Sequence, residues 1–315
     1  MSVVRFKDGG QGTLRTLIIR PSALGDTLLL APALNNIGKR AELTLVGRRP
    51  GIDFLKPLAT QCVDYETGGW HALFLDEPNC EELHLPEVDR VISFLSNPSS
   101  TAKRGLEFLM KETPIFTFPP FPPEGETIHV ALYLASCLKN SGLPVDPDVA
   151  LEEAQTNGLL RGEESSGMES MIVFHPGSGS TKKNLAPEFW IDLMKTSECA
   201  LFEKRVLLLG PAEEERYDVF SNKLRGLDIE IVTSPPSEAL LSLLKAASLY
   251  LGHDSGITHL AALLGLSTIA LFKNSDPLQW APLGPDVTVI SNFESPEQIC
   301  ESIQEKAKRV TGVLS

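Results

Sequence analysis

Long apolar runs are scarce in this chain. No stretch reaches the ~18 consecutive apolar residues that a membrane-spanning helix needs, so the sequence is not expected to cross a bilayer. The opening residues, MSVVRFKDGGQG, lack the apolar core of a signal peptide, which points to a cytoplasmic protein. Cysteine is sparse and scattered, with five residues at 62, 80, 137, 199 and 300 and no C-x-x-C pair. That spacing argues against a disulfide framework or a zinc ribbon and fits small buried hydrophobes in a reducing compartment. Positive charge is also short. The 28 Lys and Arg face 41 Asp and Glu, a net charge of −13, with acid in excess in both halves. No nucleic-acid partner is expected, because a phosphate backbone needs clustered cations. Two nucleotide fingerprints are missing as well. No G-x-G-x-x-G follows a strand, which disfavours a nicotinamide enzyme, and no Gly-Lys-Ser/Thr marks a Walker loop.

What is present is an ordinary globular composition, 42% hydrophobic and 22% charged, over 315 residues. Single cores rarely grow past ~250–300 residues, so two domains are expected. Both halves alternate short branched-apolar runs with helical patterns. In the first, LRTLIIR (14–20), ELTLV (42–46), VDRVISFL and PIFTF read as strands. TLLLAPALNNIGK (27–39) reads as a helix kinked at Pro32, and TIHVALYLASCLKNSG (127–142) as a helix closed by Gly142. Residues 143–168 turn polar and place the domain division at 150/151. The second half restarts with MESMIVF and repeats the alternation to a C-terminal helix. The fold class predicted is α/β: two Rossmann-like, doubly wound parallel-sheet domains facing a cleft. Ligands in such sheets sit beyond the carboxyl ends of the strands.

Four loops lie at those ends. In IIRPSALGDTLLLAP (18–32), Ser22 and Gly25 form the turn and Asp26 falls at or beside a helix N-terminus. Asp26 is either a cap or a catalytic carboxylate. In IVFHPGSGSTKKN (172–184), Ser178, Gly179, Ser180 and Thr181 precede Lys182 and Lys183. Such a run is either an exposed loop or a phosphate cradle, since glycine admits close backbone approach and hydroxyl and ammonium groups suit phosphate. LLLGPAEEE (207–215) sets Glu213, Glu214 and Glu215 in a first turn, where they complement the dipole or one of them takes a ribose diol. In LGHDSGITHLAALLGLSTIALF (251–272), Ser255 and Gly256 open a helix that would offer donors to a diphosphate. Asp254 suits sugar hydroxyls better than phosphate. His259, on the first turn, is either a packed histidine or a ligand.

Together these four loops resemble glycosyltransferase family 9, the heptosyltransferases of lipopolysaccharide synthesis, in order and in spacing. The resemblance covers the first strand and helix and most of 170–285, and is faint over 50–150. It implies the GT-B fold, an ADP-sugar donor, and inverting transfer with no metal or other cofactor. It implies a catalytic base at Asp26, on an acceptor-side domain spanning 1–150, and a donor-binding domain spanning 151–315. In that domain it assigns phosphate to Lys183 with Lys182 beside it, ribose to Glu213, and the donor motif to Asp254, Ser255, Gly256 and His259. The implied acceptor is a lipopolysaccharide-core or related glycan or glycolipid, met at the cytoplasmic face of the inner membrane. Leu185 stands where the family usually carries Trp. Two other functions suit the same fold: a non-catalytic nucleotide-sugar-binding protein, or a nucleotide-sugar epimerase.

Overall fold

A computed structural model of the protein describes residues 13–75, 83, 85–95, 101–162, 170–291 and 297–311. The N-terminal stretch 1–12 and residues 163–168 of the polar segment lie outside the described residues.

The first sheet comprises β1 (Leu14–Ile19), β2 (Ala41–Gly47), β3 (Gln61–Asp64), β4 (Arg90–Ser93) and β5 (Ile115–Thr117), in the order β3-β2-β1-β4-β5. Its helices are α1 (Leu24–Leu28), α2 (Ala31–Ile37), α3 (Gly51–Phe54), α4 (Thr101–Leu109), α5 (Val130–Asn140) and α6 (Pro147–Thr156). The second sheet comprises β6 (Met171–His175), β7 (Lys204–Leu209), β8 (Glu230–Thr233), β9 (Leu249–His253), β10 (Ser267–Leu271) and β11 (Val287–Ile290), in the order β11-β10-β9-β6-β7-β8. Its helices are α7 (Pro187–Met194), α8 (Tyr217–Lys223), α9 (Ser237–Ala246), α10 (Gly256–Leu263), α11 (Pro277–Trp280) and α12 (Glu297–Thr311). Every strand pair is parallel, with Ile18 opposite Leu45 and Ile92 in the first sheet and Phe174 opposite Leu207 and Leu251 in the second. The architecture is GT-B.

Central strands read as apolar runs because helices cover both faces. All five residues of β6 and of β9 are buried. In each sheet the strand order reverses beside the first strand, between β1 and β4 and between β6 and β9. Such a reversal opens a crevice at the carboxyl ends of the two strands, and the loops after β1, β6 and β9 rise there.

Two expectations need correcting. The helix read over 27–39 is two helices: α1 ends at Leu28 and α2 begins at Ala31, with Pro32 in its first turn rather than at a kink. A proline there forfeits only an N–H that has no helical partner. The polar segment is also not wholly a linker. Residues 147–156 form α6, capped by Asp146 and packed against α2 and α5, so the division at 150 falls inside a helix of the first unit. Ala150 and Ala154, four apart, supply the buried face that the polar composition hides. The chain then crosses at Leu160, whose N–H bonds Leu263 of α10. One apolar cluster runs from Leu28 and Leu34 through Leu160 to Leu260 and Leu264 and ties the two units together.

Candidate functional site

The first wall of the cleft is the turn after β1. The Ser22 N–H bonds the Arg20 carbonyl at 3.0 Å, and Thr27 Oγ1 donates to the Ser22 carbonyl at 3.3 Å. Ala23 is the N-cap of α1 and makes no side-chain cap bond. Asp26 therefore stands inside the first turn, half-buried, and is not the cap that its sequence position allows. Burial lifts its carboxyl above the usual range; Arg20 and Lys183 pull it back, Asp254 pushes it up, and the Ala23 backbone lowers it slightly.

The second wall is built on β6 and β9. The Ser178 hydroxyl lies 2.6 Å from Asn184 Oδ1 and 2.8 Å from the Ser180 carbonyl, folding the loop back on itself. Gly179 is at its exposed tip, Ser180 is half-buried, and Thr181 opens a 3₁₀ turn through Lys183. The two lysines part company there. Lys182 is exposed, whereas Lys183 turns inward and places Nζ 2.6 Å from Asp254 Oδ2. Glu213 is the buried member of its acidic run. It accepts the Gly210 N–H at 3.2 Å and fills the space beside Gly177, where a methyl group would overlap its carboxylate. Burial raises its carboxyl, opposed by the backbone N–H groups of Gly210 and Ser178. Glu214 instead bonds Ser234 at the surface, and Glu215 is exposed.

Ser255 is the N-cap of α10, its Oγ accepting the Thr258 N–H at 3.4 Å. Gly256 faces the first unit. A Cβ there would come within 2.6 Å of Leu24 Cγ and 2.8 Å of the Gly25 nitrogen. Gly25 returns the relation, since a Cβ on it would lie 3.3 Å from the Gly256 Cα and 3.3 Å from His259 Cδ2. The N-termini of α1 and α10 thus abut across the cleft, with no room for a side chain at Gly256 and a tight fit at Gly25. His259 is buried, with Nε2 3.8 Å from Asp254 Oδ1; burial pushes it down to about 4, leaving it neutral at neutral pH.

Asp26, Lys183, Asp254 and His259 converge at this contact, while Glu213 lies with Gly177 at the far side of the loop after β6. Three groups escape sequence reading. Ser275, after β10, donates Oγ to Asp254 Oδ2 at 2.5 Å, and Asn274 and Lys273 bond the Lys182 and Asn184 carbonyls at 2.7 and 3.2 Å. Only the strand pairing of β9 with β10 brings that loop here. His129, the N-cap of α5, has Nε2 3.0 Å from the Ala281 carbonyl of the second unit. Arg20 is the third. It is fully buried at the end of β1, and a lone charge closing an apolar strand was the signal for it.

A family model described as glycosyltransferase family 9 (heptosyltransferase) matches residues 123–311, more than half of the chain. The chain belongs to this family. Among solved structures it is similar to the E. coli heptosyltransferase WaaC with ADP, at 17% identity and a TM-score of 0.67, covering 93% of this chain and 100% of that one. It is also similar to the E. coli ADP-heptose lps heptosyltransferase II, at 16% identity and a TM-score of 0.68, covering 94% and 99%. Identities this low speak for the shared fold alone. A putative glycosyltransferase of Haemophilus influenzae is 27% identical over 124 residues, 38% of this chain. The chain covers only 35% of the length of that curated relative. The matched residues include the loops after β6, β7 and β9.

Proposed function

We propose that the protein is an inverting glycosyltransferase that moves a sugar from an ADP-sugar donor, a heptose in the first instance, to a glycan or glycolipid acceptor. The observation that carries this reading is the meeting of Asp26 from one unit with Lys183 and the α10 N-terminus from the other. Asp26 takes the proton of an acceptor hydroxyl. The oxygen freed of that proton attacks the anomeric carbon, and the bond from that carbon to the diphosphate oxygen breaks as ADP leaves. Lys183 and the backbone donors at the start of α10 meet the charge that develops on the diphosphate, a task that calls on no metal. Glu213 takes the ribose diol, and Asp254 the sugar hydroxyls. Donor binding then exchanges partners at Lys183, whose carboxylate gives way to a phosphate. The similarity to a heptosyltransferase with ADP and to an ADP-heptose heptosyltransferase supports the choice of donor. An acceptor at the cytoplasmic face of the inner membrane suits the family; among the described residues no helix is long and apolar enough to cross a membrane.

Asp26→Asn tests the reading. The variant should bind ADP as wild type does and transfer sugar at least ~10²-fold more slowly, the usual contribution of a positioned base. Transfer at the wild-type rate would remove Asp26 from the chemistry. A free or isomerised sugar in place of a glycoside would mark an epimerase instead.

A further inference from the structure

Arg20 carries a full positive charge into the interior, with 0% of the residue exposed. Burial of that kind is expensive unless the charge is paired. Its hydrogen bonds go to backbone: Nε donates to the Asp26 carbonyl at 3.2 Å and Nη1 to the Pro120 carbonyl at 2.7 Å. Nη2 is buried and has no hydrogen-bond partner among the described residues. The rings of Phe94 and Phe121 stand 5.3 and 5.5 Å from the guanidinium carbon and supply cation–π attraction. Desolvation pushes the group down to about 10, still protonated at neutral pH, and the charge that most opposes this is the Asp26 carboxylate. An apolar side chain in its place would leave the Asp26 and Pro120 carbonyls without this donor.

We propose that Arg20 is a positioning residue for Asp26: it holds the turn that carries Asp26 by donating to the Asp26 backbone carbonyl, and so fixes a buried guanidinium charge beside that turn. This rests on the reading of Asp26 as the proton acceptor. Other groups also face Asp26. Lys183 and Asp254 come from the loops after β6 and β9, and neutral His259 of α10 packs on Gly25. On α3, which also packs against α1, Asp53 is held by Lys56 and Arg49 at 2.8 and 3.3 Å. Arg20 is first among the groups that oppose the effect of burial on Asp26. Phe121 in turn stacks edge-on against Trp280 of the second unit at 5.5 Å.

A carbon-13 NMR titration of the Asp26 carboxyl, in the ligand-free protein, tests the proposal with Arg20→Met, Arg20→Gln and Arg20→Lys. Both neutral variants should raise the Asp26 midpoint by one pH unit or more, a ten-fold smaller ionised fraction on the acid side. Arg20→Lys should recover at least half of that shift. The acid limb of ADP release from ADP-heptose should move with the carboxyl in each variant. A folded Arg20→Met or Arg20→Gln with the wild-type Asp26 midpoint would overturn the proposal, as would Arg20→Lys shifting as far as they do. Two neutral variants guard against one failing to fold. Should the midpoints move as expected while Asp26→Asn still transfers sugar normally, the coupling stands and the glycosyltransferase mechanism falls.

Discussion

Gly25 and Gly256 meet backbone to backbone across the cleft, with the first turn of α1 against the first turn of α10. Each belongs to a different unit, and a side chain on Gly256 would drive into Leu24 and the Gly25 nitrogen at 2.6 and 2.8 Å. The contact sets the distance between the proposed base and the donor loop.

Gly256→Ala should therefore separate the two helix starts. Overpacking of this kind costs ~1–3 kcal/mol, and a displacement of about 1 Å costs up to ~10²-fold in rate. Urea unfolding and sugar transfer are both expected to suffer. Wild-type stability and rate in this variant would show that the contact yields freely.

The Lys183–Asp254 pair predicts opposite effects from its two members. Asp254→Asn releases the ammonium, and ADP should bind more tightly, by up to about ten-fold, since a charge-assisted bond worth ~1.5–3 kcal/mol no longer competes with phosphate. Lys183→Met should weaken ADP by about ten-fold or more, and Lys182→Met little. Calorimetric titration reads all three. Weaker ADP binding by Asp254→Asn would place Asp254 on the nucleotide.

Asp26 predicts a trade of stability for function. Its carboxyl is raised in the folded protein, so the protonated form is favoured by folding. That contribution is complete below the unfolded value of about 3.9 and is lost as pH rises through the folded value. Asn imitates the protonated acid at every pH. Asp26→Asn should therefore melt above wild type at pH 7 and match it near pH 3. A lower melting temperature at pH 7 would contradict this.

The buried histidines predict acid sensitivity. His175 is held down to about 4 and His253 to about 3, each by desolvation, and His259 behaves as His175 does. The folded values lie below the unfolded ~6.5, so stability is complete above pH ~6.5 and falls as pH drops toward 4, each group adding up to ~1.4 kcal/mol per pH unit. His129 acts in the same direction, because burial lowers it against the opposing bond to the Ala281 carbonyl; its Nδ1 also accepts the Ala131 N–H, which it cannot do once protonated. Unfolding free energy from urea titrations should be several kcal/mol lower at pH 5 than at pH 7.5. An unchanged value would mean that these rings are solvated.

Much of this protein is written locally. Branched apolar runs such as Leu17–Ile19 and Met171–Phe174 specify strands buried on both faces, and the glycine- and hydroxyl-rich segments between them specify turns. Period and turn chemistry act within a few residues, so they survive in the sequence. Strand alternation with helices then leaves few topologies, and the candidate loops follow from where parallel strands end.

Other features are settled only by folding. Local propensity allows Asp26 to cap α1, yet the turn begins at Ala23 and sets it inside. Glu213, Glu214 and Glu215 are alike in sequence, and the turn after β7 buries only the first. Lys182 and Lys183 are distinguished by Asp254, 71 residues away from the latter. α6 looks polar until α2 and α5 cover Ala150 and Ala154. Arg20 meets the Pro120 carbonyl, 100 residues away, and Ser275 meets Asp254, 21 residues away, only through the packing of loops and strands. Burial and charge pairing are properties of neighbours in space, and no local pattern records which neighbours a chain will bring together.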